Sequence, residues 1–244
     1  MYKRQVLKQL QDVSAVDLSR FRDSRLGEVS IATVRKEMGI LRSVLESARR
    51  DWGMIQSNPI GDVKRPPAPP PRKRLMSDSE QSAILAALDW LNGAKTADTM
   101  QHQVAILLLL ALETAMRAGE MVGMEWGRVN LPKRFLTLPE TKNGDQRDVP
   151  LSRRAVELLS IMAGHDPVAV FTITSASLDA LFRKARDKCN IEGLHFHDTR
   201  ANAITRLATK LDIHDLARMI GHRDLKSLLI YYRKTAADMA HQLD

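Results

Sequence analysis

From Ser30 onward, apolar residues recur at helical spacing: Val34, Met38, Leu41, Val44, Leu45 and Ala48 fall on one stripe. Serine is a favoured N-cap, so the pattern predicts a helix from Ser30 to about Trp52. Val13 to Leu18 predicts a turn into a shorter helix ahead of it. The pattern stops at Lys64-Arg65-Pro66-Pro67-Ala68-Pro69-Pro70-Pro71-Arg72-Lys73-Arg74, where the prolines forbid both helix and central strand and favour an extended, semi-rigid spacer. Helical spacing resumes after Ser77 or Asp78 and runs to about Trp90. It returns over Asp98 to Met116, which holds the apolar run Val104–Leu112. The period then changes, and Arg134–Leu138 and Gln146–Pro150 read as short strands. Between them lies Thr141-Lys142-Asn143-Gly144-Asp145; Asn-Gly signals a type I′ turn, predicting a β-hairpin with Lys142 near its tip. Helices are predicted near 152–163, 175–189, 198–210, 212–220 and 224–234. The expected fold is mostly α with a small antiparallel β-sheet, divided by the proline stretch.

Charge changes this picture by where it sits. The chain carries a net charge of +8, and the whole excess lies in residues 1–75; residues 76–244 balance to zero. A concentrated positive charge suits a polyanion partner through counterion release, and a solvated basic face is the plain alternative. The basic residues Arg65, Arg72, Lys73 and Arg74 flank the prolines and are candidate phosphate contacts. Cys189 is the sole cysteine, so neither a disulfide framework nor a cysteine zinc site can be built, which suits a reducing cytoplasm. The start of the chain is polar and basic, unlike a signal peptide, and the longest apolar run is too short to span a bilayer; no membrane partner is expected.

Four segments carry candidate chemistry. Thr114-Ala115-Met116-Arg117-Ala118-Gly119-Glu120 closes an apolar helix with an arginine, which could bind helix-end carbonyls, pair with Glu120 or face a site. Lys142 beside an Asn-Gly turn is by itself only a solvated lysine. In Leu194-His195-Phe196-His197-Asp198-Thr199-Arg200, a helix starting near His197 puts His197 and Arg200 three apart on one face. His195 and His197 find no further ligands nearby, so no metal is expected. In Met219-Ile220-Gly221-His222, Gly221 ends a helix and sets His222 at a turn, with Tyr231 and Tyr232 nine and ten residues on; the plain reading is an aromatic pair packed on the core.

Together these segments resemble the tyrosine recombinase family, which includes the phage integrases. Its pattern is an Arg within T-G-M-R-x-x-E, a hairpin Lys, H-x-x-R, L-G-H, and a Tyr nine residues after that last His. Arg117, Lys142, His197, Arg200, His222 and Tyr231 fill the six positions in order, from residue 76 to about 235. Ala115 stands where the family usually has Gly, Ile220 replaces Leu, and Thr199 and Ala201 replace a common Leu and His. The region before the prolines is similar to the family's core-binding domain from about its middle, including Trp52-Gly53 and Asn58-Pro59. The resemblance implies three parts: a helical, SAM-like DNA-binding domain at 1–64 lacking its first helix, a basic linker at 65–75, and an integrase-type catalytic domain at 76–244.

The resemblance also implies a mechanism. Tyr231 would attack a scissile phosphate, Arg117 and Arg200 would clamp its non-bridging oxygens, and Lys142 would protonate the 5′-hydroxyl leaving group. His197 would accept or position the tyrosine proton, His222 would donate a hydrogen bond to the phosphate, and Glu120 would orient Arg117 or His197. A phosphotyrosine keeps the energy of the broken bond, so neither a cofactor nor a metal is implied. Tyr232 is the rival nucleophile, and the family spacing selects Tyr231. The implied partner is double-stranded DNA at specific recombination sites, bound by a homotetramer, in a cytoplasmic, nucleoid-associated protein of a mobile element. A type IB topoisomerase shares this chemistry, and a non-catalytic DNA-binding protein would share only the basic front.

Overall fold

The computed structural model describes residues 8–70, 74–90, 96–139, 146–222 and 224–232. The chain divides between Lys73 and Arg74 into two compact units.

In the first unit, α1 (Ala15–Leu26) starts at a capping box in which Ser14 and Asp17 satisfy each other's backbone N–H groups. The second helix, α2 (Ile31–Arg50), is capped by Ser30 as expected, its side chain accepting from the Thr33 N–H. Leu18, Val34, Met38 and Leu45 pack with Ile60 from a 3₁₀ turn at Pro59–Asp62 and with Val63 just after it. Val44, placed on the apolar stripe by sequence, is 44% exposed instead. Its neighbour Leu45 takes the inward position at that turn of the helix. The chain after the 3₁₀ turn returns along α2: Arg65 donates from Nη2 to the Arg35 carbonyl (2.8 Å), and Arg35 donates to the Pro66 carbonyl.

The second unit is built round α4 (Met100–Thr114), whose Val104 to Leu108, Leu110 and Ala111 are all fully buried. A helix apolar on every side must lie at the centre of its unit. Against it pack α5 (Ala118–Val122), α6 (Arg153–Met162), α7 (Ser175–Lys188) and α8 (Asp198–Leu207). The helix α3 (Asp78–Ala87) lies on α7. The strands β1 (Val129–Asn130), β2 (Phe135–Leu138) and β3 (Arg147–Pro150) form one antiparallel sheet in that order. Their register pairs Leu136 with Val149 and Leu138 with Arg147, so these four residues share one face. The last α-helix among the described residues, α9 (Ile213–Ile220), packs against β3. Among the described residues, no helix is long and apolar enough to cross a membrane.

Two elements depart from the sequence reading. The apolar helix ends at Thr114 because Ala115 turns left-handed (φ 54°), so Arg117 opens a new short helix rather than closing the old one. The helix expected near 224–234 is, over the described residues, two 3₁₀ turns at Leu225–Ser227 and Leu229–Tyr231. The inward residues there, Leu225, Leu228 and Tyr231, are spaced by three, which matches the 3₁₀ period and not 3.6. The hairpin tip holding Lys142 lies outside the described residues; the antiparallel pairing of its two strands is as expected.

Candidate active site

The centre of the site is Arg200, only 6% exposed on the first turns of α8. A buried guanidinium needs acceptors, and here they are main-chain carbonyls at two helix ends. Arg200 donates from Nη1 to the Ala115 carbonyl after α4, and from Nη2 to the Ile220 carbonyl closing α9 (2.8 Å). Both carbonyls sit at the negative end of a helix dipole, which favours a cation. Burial, and then repulsion from Arg117, bring the Arg200 pKa down to about 10; Glu120 and Tyr231 pull it the other way, and Arg147 adds to the repulsion. Arg200 thus remains charged at neutral pH and feels four side chains from three other parts of the unit: α5 with its N-cap, β3 and the second 3₁₀ turn.

Arg117 stands at the N-cap of α5, 42% exposed, with its Nη1 donating to Glu120 Oε1 (2.8 Å). Glu120 Oε2 accepts both the Arg117 backbone N–H (2.9 Å) and Arg147 Nη2 (2.8 Å). Burial alone would raise the Glu120 carboxyl, but the Arg117 N–H and the two guanidiniums outweigh it and hold the group below the usual carboxylate range. Glu120 is therefore an ionised acceptor with three donors on its two oxygens.

His222 is placed by the end of α9. Gly221 adopts φ 67°, and the His222 N–H bonds the Ala217 carbonyl (3.0 Å), the 6→1 bond of a Schellman turn. The imidazole is half-buried, with Nδ1 3.0 Å from Ser227 Oγ. Burial lowers its pKa, Arg200 and Arg117 lower it further, and Asp224 opposes them. Tyr231 ends the second 3₁₀ turn and packs against the core. The rival, Tyr232, donates its hydroxyl to the Leu211 carbonyl (2.9 Å), and burial raises its pKa. That hydroxyl is committed to the scaffold.

The structure thus places Arg117, Glu120, His222 and Tyr231 within electrostatic range of Arg200. His197 is exposed at the N-cap of α8, its carbonyl accepting from the Arg200 N–H (3.1 Å), and its ring has no hydrogen-bond partner among the described residues. Lys142, Arg72 and Lys73 lie outside the described residues. Arg65 is exposed in the first unit, and Arg74 is engaged by Glu80 in the second. Among the described residues, no cluster of three His, Cys, Asp or Glu could hold a metal.

Sequence reasoning missed Arg147. The available signal was its alternation with Val149, which put a charged residue on the same strand face as the buried Val149.

The phage integrase family model matches residues 75–238. A putative integrase/recombinase of Haemophilus influenzae is 38% identical over 241 residues, covering 97% of this chain and 78% of the relative. A shufflon-specific DNA recombinase of Escherichia coli is 33% identical over 248 residues, covering 98% of this chain and 62% of the relative. This chain therefore spans less than two thirds of the shufflon recombinase's length. Among solved structures, a lambda integrase dimer bound to a COC′ core site matches with a TM-score of 0.76 at 17% identity, over 96% of this chain and 84% of that one. The Tn1549 transposon integrase in complex with a circular intermediate DNA matches with a TM-score of 0.73 at 16% identity, over 98% of this chain and 88% of that one. The chain belongs to the phage integrase family of tyrosine-type site-specific DNA recombinases.

Proposed function

We propose that the protein cuts and rejoins DNA at specific sites by two successive transesterifications at Tyr231. The Tyr231 hydroxyl attacks the scissile phosphorus, a 3′-phosphotyrosine bond forms, and the bond to the 5′-oxygen breaks. The phenolic proton leaves to His197, and Lys142 protonates the departing 5′-oxygen. A 5′-hydroxyl from a partner strand then attacks the phosphotyrosine and the steps reverse. One phosphodiester is broken and one is made, so no nucleotide cofactor is consumed.

The supporting observation is the charge arrangement at Arg200. Arg117 and Arg200 are planar forks suited to non-bridging phosphate oxygens. They are held by Glu120 and by two helix-end carbonyls of the protein itself. A preorganised donor of this kind contributes about 10²–10³ in rate. His222, whose pKa burial and the two arginines lower, presents an imidazole N–H donor to the same phosphate.

The same reading takes residues 1–64 as a DNA-binding helical domain, 65–75 as a basic linker whose Arg65, Arg72, Lys73 and Arg74 meet phosphates, and 76–244 as the catalytic domain. Lambda integrase is seen as a tetramer bound to a Holliday junction, and we extend that assembly to this chain as a homotetramer on two DNA sites.

The test uses duplexes selected from random DNA by binding to the purified protein, then nicked to trap a cleaved half-site. A denaturing gel reads the covalent adduct. Adduct with the wild type and none with Tyr231→Phe supports the assignment; adduct that persists in Tyr231→Phe removes it. Exchange between two defined sites, rather than relaxation of supercoils alone, separates a recombinase from a topoisomerase.

A further inference from the structure

Arg147 belongs to none of the six family positions, yet it binds Glu120 beside Arg117 and is far more enclosed than Arg117 is. Its side chain is 8% exposed, as is that of Glu120. It sits on β3 facing inward and touches three things. Nη2 donates to Glu120 Oε2 (2.8 Å), Nε donates to the Met219 carbonyl (3.1 Å), and the guanidinium lies flat against Gly221. A Cβ at Gly221 would stand 3.0 Å from Nη1, 3.1 Å from Cζ and 3.2 Å from Nε, closer than ordinary contact.

We infer that Arg147 is a positioning residue for the phosphate clamp, acting on Arg117 through Glu120 and on His222 and Arg200 through the Met219–Gly221 turn.

The inference rests on the reading of the site given above, and its geometry is specific. Glu120 shares its Oε2 between the Arg117 backbone and Arg147, which leaves Oε1 aimed at the Arg117 guanidinium. Without Arg147 the carboxylate could rotate, and the exposed half of Arg117 would rotate with it. On the other side, the Met219 carbonyl precedes the Ile220 carbonyl that holds Arg200, and Gly221 precedes His222. One planar fork thus fixes both approaches to the phosphate. Lysine could satisfy Glu120, but it carries its charge at one point and has no fork matched to acceptors on two separate elements. Arg147 spends its Nε and Nη2 on the Met219 carbonyl and Glu120 and acts through them, not by touching the reacting atoms.

A residue that merely supports the fold lowers the active fraction by the same factor in any background. A residue that acts chiefly through Arg117 does not, because that share of its effect vanishes once Arg117 is gone and only the smaller share passing through the Met219–Gly221 turn is left. The experiment is a double-mutant cycle of Arg147→Met and Arg117→Ala, reading single-turnover adduct formation on saturating nicked half-site DNA, with DNA affinity and thermal melting measured alongside. Arg147→Met is expected to slow adduct formation by about 10²-fold, the scale of a lost preorganised donor, with affinity changed less than about threefold. In the Arg117→Ala background the same change is expected to slow it by less than about fivefold. A full further 10²-fold loss there would overturn the inference, as would a loss that simply follows the folded fraction. Should Arg147→Met not fold, the cycle is run with Arg147→Lys; if that variant also fails to fold, Arg147 is a requirement of the scaffold and the inference falls. Wild-type protein that forms no adduct overturns the catalytic reading and the inference together, whereas additive losses with an active wild type sink the inference alone.

Discussion

Gly221→Ala isolates the turn that carries His222. Two independent penalties are expected. The first is conformational: the residue sits at φ 67°, where a Cβ meets its own carbonyl, an effect of about 1 kcal/mol. The second is contact: the new methyl would lie 3.0–3.2 Å from the Arg147 guanidinium, which must retreat by about half an ångström to reach ordinary van der Waals distance. That retreat stretches the 3.1 Å bond from Nε to the Met219 carbonyl beyond hydrogen-bonding range, a loss of about 1–2 kcal/mol for a charged donor. The sum is roughly 2–3 kcal/mol, or a fall in melting temperature of about 5–10 °C for a unit of this size. Chemical denaturation gives the free energy directly. The decisive comparison repeats Gly221→Ala in the Arg147→Met background, where the contact term is gone and only about 1 kcal/mol should remain. Equal destabilisation in both backgrounds, within about 0.5 kcal/mol, would refute the reasoning.

Other outcomes follow from the same geometry. Arg200→Ala should cut adduct formation by at least about 10²–10³-fold while DNA affinity, measured by gel shift, stays within a few-fold; an equal loss of both would make the residue purely structural. The lowered His222 pKa means the folded state resists protonation there. Its contribution to stability is complete above the unfolded value near 6.5 and declines as pH falls through the lower folded value. Melting curves of wild type and His222→Gln should therefore diverge below about pH 6.5, and superimposable profiles down to about pH 4.5 would contradict this. Tyr232→Phe should keep adduct formation yet lose about 1 kcal/mol of stability with its bond to the Leu211 carbonyl; loss of the adduct would return Tyr232 to contention as nucleophile. Affinity for DNA should drop steeply with salt because the excess positive charge lies in residues 1–75, and a flat salt response in a binding titration would rule that out.

Much of the architecture could be read from local rules. The serine caps at Ser30 and Ser77 and the two strands either side of Asn143-Gly144 depend on nearest neighbours, and they fall within a residue or two of expectation. Arg117 was harder. Its helix assignment turned on Ala115 adopting a left-handed conformation, which alanine does not advertise and glycine would have. The segment after His222 misled for a different reason: a spacing of three between Leu225, Leu228 and Tyr231 blends into a helical period over so few residues. At the site, the six family positions stood out by order and spacing, whereas Arg147 took its meaning from Glu120 and Met219, 27 and 72 residues away. No short-range pattern encodes contacts that distant.

The anchoring of Arg200 has a bearing on how such a chain can diverge. The acceptors at positions 115 and 220 belong to the main chain, so they are present whatever side chain is attached there. Exchanging Gly for Ala at the first, or Leu for Ile at the second, leaves the oxygen and its direction intact provided the turn survives. The grip on Arg200 therefore tolerates a change of side chain at both positions, because what holds the cation is the path of the backbone and not the residues strung along it.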